Sequence, residues 1–283
     1  MTKKVGNYVY EIDRDDLLSD WLNKNNNYNG TQDLFFEFSF NSYSKNFKLV
    51  AGIDYYSQIE CIYAQKIMRH EYICNKLGIP YFVFFIGGKE YVQDGIRLRK
   101  IDYYKLSYCN KLAENFIKKH SFLYSFINEQ KYSDFLHLLR GEKPEPVKDE
   151  NDEIYDCSLP YKKIFRERHA KYGAKILQSD IDLILYSNKN EFEPVMIVEF
   201  KSNASFHNSL IDSNQPGQAA LLDYLENKLE IPVVRIWHNA RDVDEFVVRK
   251  SYGGKSIDKE IFKQLGFTGE EMAQFFWNYT FNN

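Results

Sequence analysis

Three side chains in the second half of the chain are of the types and at the spacing that hydrolytic chemistry uses. Asp182 stands among Ile181, Leu183, Ile184 and Leu185, and Glu199 and Lys201 follow in the run Val198-Glu199-Phe200-Lys201-Ser202. Alternate residues of a strand share a face, so Glu199 and Lys201 point one way and Phe200 points to the opposite core. A hairpin between the two apolar runs sets Asp182 beside them. Two carboxylates and an ammonium then meet on an otherwise apolar sheet, where an uncompensated charge is costly. A divalent cation is the fitting partner. Mg²⁺, with Mn²⁺ as a substitute, takes one or two carboxylates and keeps waters and phosphate oxygens. The expected ligands are Asp182, Glu199 and the Phe200 carbonyl. A bound metal lowers the pKa of its water and neutralises phosphate charge, and Lys201 would steady the attacking oxygen. The implied chemistry is hydrolysis of a phosphodiester. A surface ion pair between Glu199 and Lys201 is the plain alternative; Met196-Ile197-Val198 and Leu183-Ile184-Leu185 argue against exposure.

The elements that must hold these residues follow from periodicity. Residues 161–176 (YKKIFRERHAKYGAKI) carry Tyr161, Ile164, Phe165 and Tyr172 along one side and read as a helix. Strands at 180–187 and 195–202 flank a polar turn, and their near-continuous apolar character points to a sheet covered on both faces. A helix at 215–229, strands at 232–238 and 245–250, and a last helix opened by the capping box Thr268-Gly-Glu-Glu271 complete the half.

This combination resembles the PD-(D/E)xK nuclease superfamily over roughly residues 160–240. The shared residues are Asp182 and, a step of 17 later, Glu199-Phe200-Lys201; Ile181 stands in place of the motif's proline. The resemblance implies an α-β-β-β-α-β core and Mg²⁺-dependent cleavage of DNA. Gln218, with Tyr224 six residues on, resembles the Gln-x-x-x-Tyr feature of the RecB-like branch at a different spacing. Glu167, on the first core helix, is the implied additional carboxylate near the metal.

The chain repeats itself. Tyr72-Ile-Cys-Asn-Lys-Leu-Gly-Ile-Pro80 and Tyr224-Leu-Glu-Asn-Lys-Leu-Glu-Ile-Pro232 share six of nine residues at a shift of 152. Upstream, 34–42 lies over 179–187 and 48–56 over 193–201 at a shift of 145, and 96–100 falls near 247–251. Duplication of a β-β-α-β unit is the natural reading. The first copy is expected to have a helix at 58–77, a strand at 79–86 and an added helical stretch at 103–140. The shift maps Glu37 onto Asp182, Asp54 onto Glu199 and Tyr56 onto Lys201. Tyr is neutral near pH 7, so the first copy lacks the cation and reads as a degenerate site that holds a metal weakly at most. The segment 141–156 (GEKPEPVKDENDEIYD) has seven acidic residues and two prolines and reads as a linker. The expected organisation is a degenerate nuclease-like domain at 1–140, the linker at 141–156 and a catalytic domain at 157–283. The fold class is α/β, a mixed sheet flanked by helices, in tandem restriction-endonuclease-like copies.

Composition narrows the partners. The 283 residues are 44% hydrophobic and 27% charged, with a net charge of −3. That fits a globular chain and leaves DNA contact to local patches. Lys162, Lys163, Arg166, Arg168, Lys171 and Lys175 form one such patch; Arg97, Arg99 and Lys100 form another. The expected partner is DNA, single-stranded or nicked substrates included, with a homodimer as one route to two cuts. The four cysteines show no C-x-x-C pair, and the start has no apolar leader. No run approaches the ~20 apolar residues of a membrane helix, so a cytoplasmic location with no membrane partner is expected. The competing reading is a non-catalytic nucleic-acid-binding or scaffolding protein that retains the fold.

Overall fold

Runs rich in Phe, Tyr, Ile and Val, residue types that fit a pleated, half-buried surface, pair into two six-stranded mixed sheets beside one two-stranded sheet. The structure is a computed structural model. It describes residues 2–5, 8–11, 21–22, 24–25, 28–41, 43–44, 46–57, 64–121, 129–144, 146, 154–157, 164, 177–203, 216–239, 245–251 and 267–283. In chain order the elements are β1 (Thr2–Val5), β2 (Tyr8–Glu11), β3 (Gly30–Thr31), β4 (Leu34–Asn41), β5 (Asn46–Ser57), α1 (Ala64–Leu77), β6 (Tyr81–Gln93) and β7 (Ile96–Cys109). Then come α2 (Lys111–Lys119), α3 (Glu129–Arg140), β8 (Ile154–Asp156), β9 (Leu177–Ile181), β10 (Leu183–Tyr186), β11 (Pro194–Asn203), α4 (Pro216–Leu229), β12 (Val233–Asn239), β13 (Glu245–Ser251), β14 (Phe267–Thr268) and α5 (Gly269–Asn282). The chain is therefore mixed α/β, with five helices among the described residues. None of these helices is long and apolar enough to cross a membrane.

The chain divides into two compact units, and they are not its two contiguous halves. One unit comprises Met1–Lys3, Tyr10–Leu34 and Asp180–Asn283; the other comprises Lys4–Val9 and Phe35–Ser179. The expected boundaries at 140 and 157 follow composition, whereas the units follow strand pairing. The sheet order β14-β13-β12-β11-β10-β3 ends on a strand from the start of the chain, and β8-β7-β6-β5-β4-β9 ends on a strand from beyond the acidic segment. The tail of that segment is itself a strand: Ile154 and Tyr155, its two adjacent apolar residues, pair with Lys100 and Arg99 of β7.

Within each unit the same pairing recurs. β4 runs antiparallel to β5, β5 parallel to β6 and β6 antiparallel to β7; β10, β11, β12 and β13 repeat this, with α1 and α4 as the crossovers. The parallel register fixes the equivalence. Asp54 pairs with Val83 and Glu199 with Arg235, so the shift is 145 on one strand and 152 on the next. Five of the six buried positions of α1, Arg69, His70, Ile73, Cys74 and Leu77, fall on the buried Leu221, Leu222, Leu225, Glu226 and Leu229 of α4 at the same 152, and the sixth, Ile67, falls on the half-buried Ala219.

Two expectations fail on the fourth strand of the repeat, β7. The stretch 103–140 is not continuously helical: residues 103–109 belong to β7, and helices begin only at Lys111 and Glu129. The alternation in Ile-Asp-Tyr-Tyr-Lys-Leu-Ser-Tyr suits the pairing that β6 offers, with Phe84 opposite Leu106 and Ile86 opposite Tyr104. Because Ile236 pairs with Val248, the counterpart of 247–251 is 105–109 rather than 96–100.

Both crossover helices end on a left-handed residue. Gly78 has φ +70° and Glu230 has φ +61°. The Ile79 amide closes the first end on the Cys74 carbonyl at 3.0 Å, and the Glu230 amide closes the second on the Glu226 carbonyl at 3.0 Å. Glycine adopts this conformation without strain, whereas a residue with a Cβ does not. Glu230→Gly is expected to stabilise its unit by about 1 kcal/mol. All three tryptophans, Trp21, Trp237 and Trp277, lie in that unit, so the urea midpoint read by tryptophan fluorescence measures the effect directly.

Candidate active site

The site is built on β11. Its even-numbered residues Met196, Val198 and Phe200 join Leu183, Leu185, Val234, Ile236, Phe246, Met272, Phe275 and Phe276 in one apolar core, which packs that face under α5. Alternation turns Glu199 to the other face, where α4 lies. There the Gln218 side-chain amide donates to Glu199 Oε1 at 2.6 Å. Glu199 is only 3% exposed. Gln218 reaches it because it sits at the start of α4, ahead of the buried stripe Leu222 and Leu225.

Asp182 does not lie inside a strand as expected. It is a bend between β9 and β10, strands that belong to different sheets. Its Oδ2 accepts the Phe200 amide at 2.8 Å. Leu183 pairs with Val198, so one step further brings Asp182 level with Glu199 on the same side of the sheet. The structure thus brings together Asp182, Glu199, Gln218 and the Phe200 backbone. Lys201 lies two positions along β11, level with Trp237. Glu167 and the basic residues Lys162, Lys163, Arg166, Arg168, Lys171 and Lys175 lie outside the described residues.

Carboxylates are hard oxygen donors, the type that Asp182 and Glu199 offer, and Mg²⁺ is commonly held by one or two of them with water completing its shell. Among the described residues no group of three or more His, Cys, Asp or Glu side chains that could hold a metal ion is found.

The other unit places a carboxylate at the same point and closes it off. Asp54, the counterpart of Glu199, is 1% exposed. Its Oδ2 accepts the Tyr81 hydroxyl at 2.7 Å and lies 2.7 Å from His70 Nδ1 on α1. Burial alone would raise the Asp54 carboxyl. The charge and hydrogen bond of His70, with the charge of Lys66 and the bond from Tyr81, outweigh it and hold the group below the usual carboxylate range. Lys66 stands at the position of Gln218, and its ammonium lies 5.4 Å from the ring centroid of Tyr56, the residue equivalent to Lys201.

Glu37 is not the partner of Asp54. It pairs with Ala51, which places it on the face of Ile53 and Tyr55, opposite to Asp54. There it accepts the Gln178 amide at 2.6 Å, in a group that includes Tyr55 and Tyr132, whose hydroxyls lie 2.7 Å apart. By register the counterpart of Asp182 is Leu34, and Glu37 corresponds to Leu185. The linear shift of 145 misses this because the β4–β5 hairpin is longer than the β10–β11 hairpin, while both carry a bulge at the equivalent place, Glu37/Phe38 and Leu185/Tyr186. Two members of the basic cluster Arg97, Arg99 and Lys100 meet a carboxylate. Glu90 takes both Arg97, at 2.9 Å, and Arg99, at 2.6 Å.

Comparison with protein-family models, with curated proteins and with solved structures finds no match to this chain.

The closed site has a pH signature. A carboxyl whose folded pKa is lowered contributes stability above its unfolded pKa, near 4, and loses that contribution as pH falls through the folded value. Asp54→Asn should destabilise its unit at neutral pH by about 3 kcal/mol, the scale for breaking a buried charge pair. It should also flatten the fall in melting temperature below about pH 4. An unchanged acid slope, read by circular dichroism, would contradict the pairing.

Proposed function

We propose that the chain is a metal-dependent nuclease that hydrolyses phosphodiester bonds in DNA, with one active site per chain. The observation that carries this reading is the bond from the Phe200 amide to Asp182, which holds the second carboxylate beside Glu199 while Gln218 fixes Glu199 from α4. The repeated strand order around α1 and α4 supports the companion proposal of tandem restriction-endonuclease-like cores, of which only one is complete.

In this reading Asp182, Glu199 and the Phe200 carbonyl hold Mg²⁺, which when bound acidifies a water and neutralises charge on the phosphate. Gln218 keeps the Glu199 carboxylate in one orientation by occupying one of its oxygens. Lys201, two residues along the same strand, steadies the attacking oxygen. Water adds to phosphorus, one ester P–O bond breaks, and the leaving oxygen takes up a proton. The Asp54 site lacks the second carboxylate and is met by His70 and Tyr81 of its own unit, so it takes no part in the chemistry. One chain then makes one cut per encounter. It acts as a nicking, trimming or single-strand enzyme, or pairs two active units in a homodimer.

Supercoiled plasmid and single-stranded DNA with Mg²⁺, Mn²⁺ or EDTA test the proposal. Asp182→Ala and Glu199→Ala should abolish cleavage with the fold intact. Lys201→Ala should lose about 10²–10³ in rate, the scale of one transition-state contact. Nicked circles should precede linear product at low protein concentration. DNA binding without cleavage under all metal conditions would favour the competing reading of a scaffolding or binding protein.

A further inference from the structure

The copy that lacks the second carboxylate carries an element that the other copy does not. By register Ile86 stands opposite Tyr104 and, at the equivalent place in the other unit, His238 stands opposite Phe246. Seventeen residues connect the first pair and seven connect the second. The ten added residues lengthen a hairpin. β5 accompanies β6 only as far as Ile86, and β6 then runs on to Gln93 with β7 as its one partner among the described residues. In the other unit β11 accompanies β12 to its last residue, Asn239. A bulge at Gly87/Gly88 marks the point where this arm leaves the sheet. A Cβ on Gly88 would overlap the Lys100 carbonyl oxygen, so glycine is what lets the two strands close there. Asp94 and Gly95 make the tip, with φ of +51° and +76°, the left-handed pair that a type I′ turn requires.

The charge of the arm opposes that of the chain. Beyond the bulge stand Lys89, Arg97, Arg99 and Lys100 against Glu90 and Asp94, in a chain of net charge −3. The acids at its base are Asp102, in the bulge, and Asp156 of β8, opposite Leu98. Lys89 lies directly opposite Lys100, a like-charge pair that costs stability in the chain by itself. On the other face Glu90 meets two arginines, Arg99 at 2.6 Å and Arg97 at 2.9 Å, and the Arg97 side chain remains 73% exposed. Local choices that cost stability are expected at functional sites. A two-stranded β-ribbon is a shape that the major groove of B-DNA admits, and cations on it meet phosphates without reading sequence.

We propose that the β6–β7 arm is a docking element for the phosphate backbone of duplex DNA, with Lys89, Arg97 and Lys100 as its contacts. The choice of DNA as the partner rests on the nuclease reading. The two copies then divide the work: the unit built on Asp54 holds the substrate through its arm, and the unit built on Glu199 cuts it.

The test is binding of the full chain to labelled DNA duplexes of two unrelated sequences, read by fluorescence anisotropy across a salt series in EDTA. Lys89→Gln, Arg97→Gln and Lys100→Gln combined should weaken binding about tenfold or more at about 0.1 M salt, and should lower the slope of log affinity against log salt by about 2.7, at about 0.9 for each lost phosphate contact. Both duplexes should respond alike. Lys118→Gln with Lys119→Gln, exposed on α2 of the same unit, should leave affinity and slope at parental values. Circular dichroism checks that each variant keeps the parental fold. Parental affinity and slope in the triple variant would overturn the proposal, as would an equal loss in the α2 pair or a parent chain that binds no duplex. A triple variant that changes self-association alone, read by sedimentation, would assign the arm to a protein interface and overturn it as well. Arm-dependent binding without cleavage under any metal condition leaves the arm standing and the nuclease reading fallen. Cleavage with arm-independent binding does the reverse.

Discussion

A carboxylate in the middle of a covered sheet must be met by charge or by hydrogen bonds, because burying it alone costs several kcal/mol. This chain faces that constraint twice, at Glu199 and at Asp54, in the same place in the same strand order. The two solutions differ in kind. Asp54 receives a histidine, a tyrosine hydroxyl and the field of a lysine, all from its own unit. Glu199 receives a neutral amide from Gln218 and sits beside Arg235, with a second carboxylate, Asp182, held level with it by the Phe200 amide. In the proposed reading the second arrangement takes a cation and the first does not.

The rest of the structure serves this difference. The face opposite Glu199 is a continuous aromatic and aliphatic core under α5, which fixes β11 and therefore the direction in which Glu199 points. The bend at Asp182 follows from the chain leaving one sheet for another between Ile181 and Leu183. A residue inside a ladder would have its neighbour's amide committed to backbone pairing; at the bend, the Phe200 amide is met by the side chain of Asp182 instead.

Much of this was legible in the sequence. The apolar runs around Asp182 and Glu199 gave the two strands, the alternation gave the face of Glu199, and the repeated Tyr-x-x-Asn-Lys-Leu-x-Ile-Pro segment gave the crossover helix and its end. Gln218 was visible as a residue type near the right place, though its spacing from Tyr224 did not fix it. The failures share one cause, the non-local nature of strand pairing. A constant shift of 145 carries Asp54 onto Glu199 by register but carries Glu37 wrongly onto Asp182, since a longer hairpin changes the antiparallel register without changing the sequence pattern. The strand at 103–109 was hidden in a stretch rich in Leu, Phe and Tyr, residues that both helices and strands accept.

In the proposed reading, one of the two equivalent carboxylate sites takes a divalent cation and the other does not. Counting bound Mn²⁺ by electron paramagnetic resonance of the free ion tests it directly, on the parent chain, Asp182→Asn and Asp54→Asn. The account predicts one ion per chain, lost in Asp182→Asn and retained in folded Asp54→Asn. An ion that survives Asp182→Asn, or one that disappears with Asp54→Asn while the fold is intact, would contradict it.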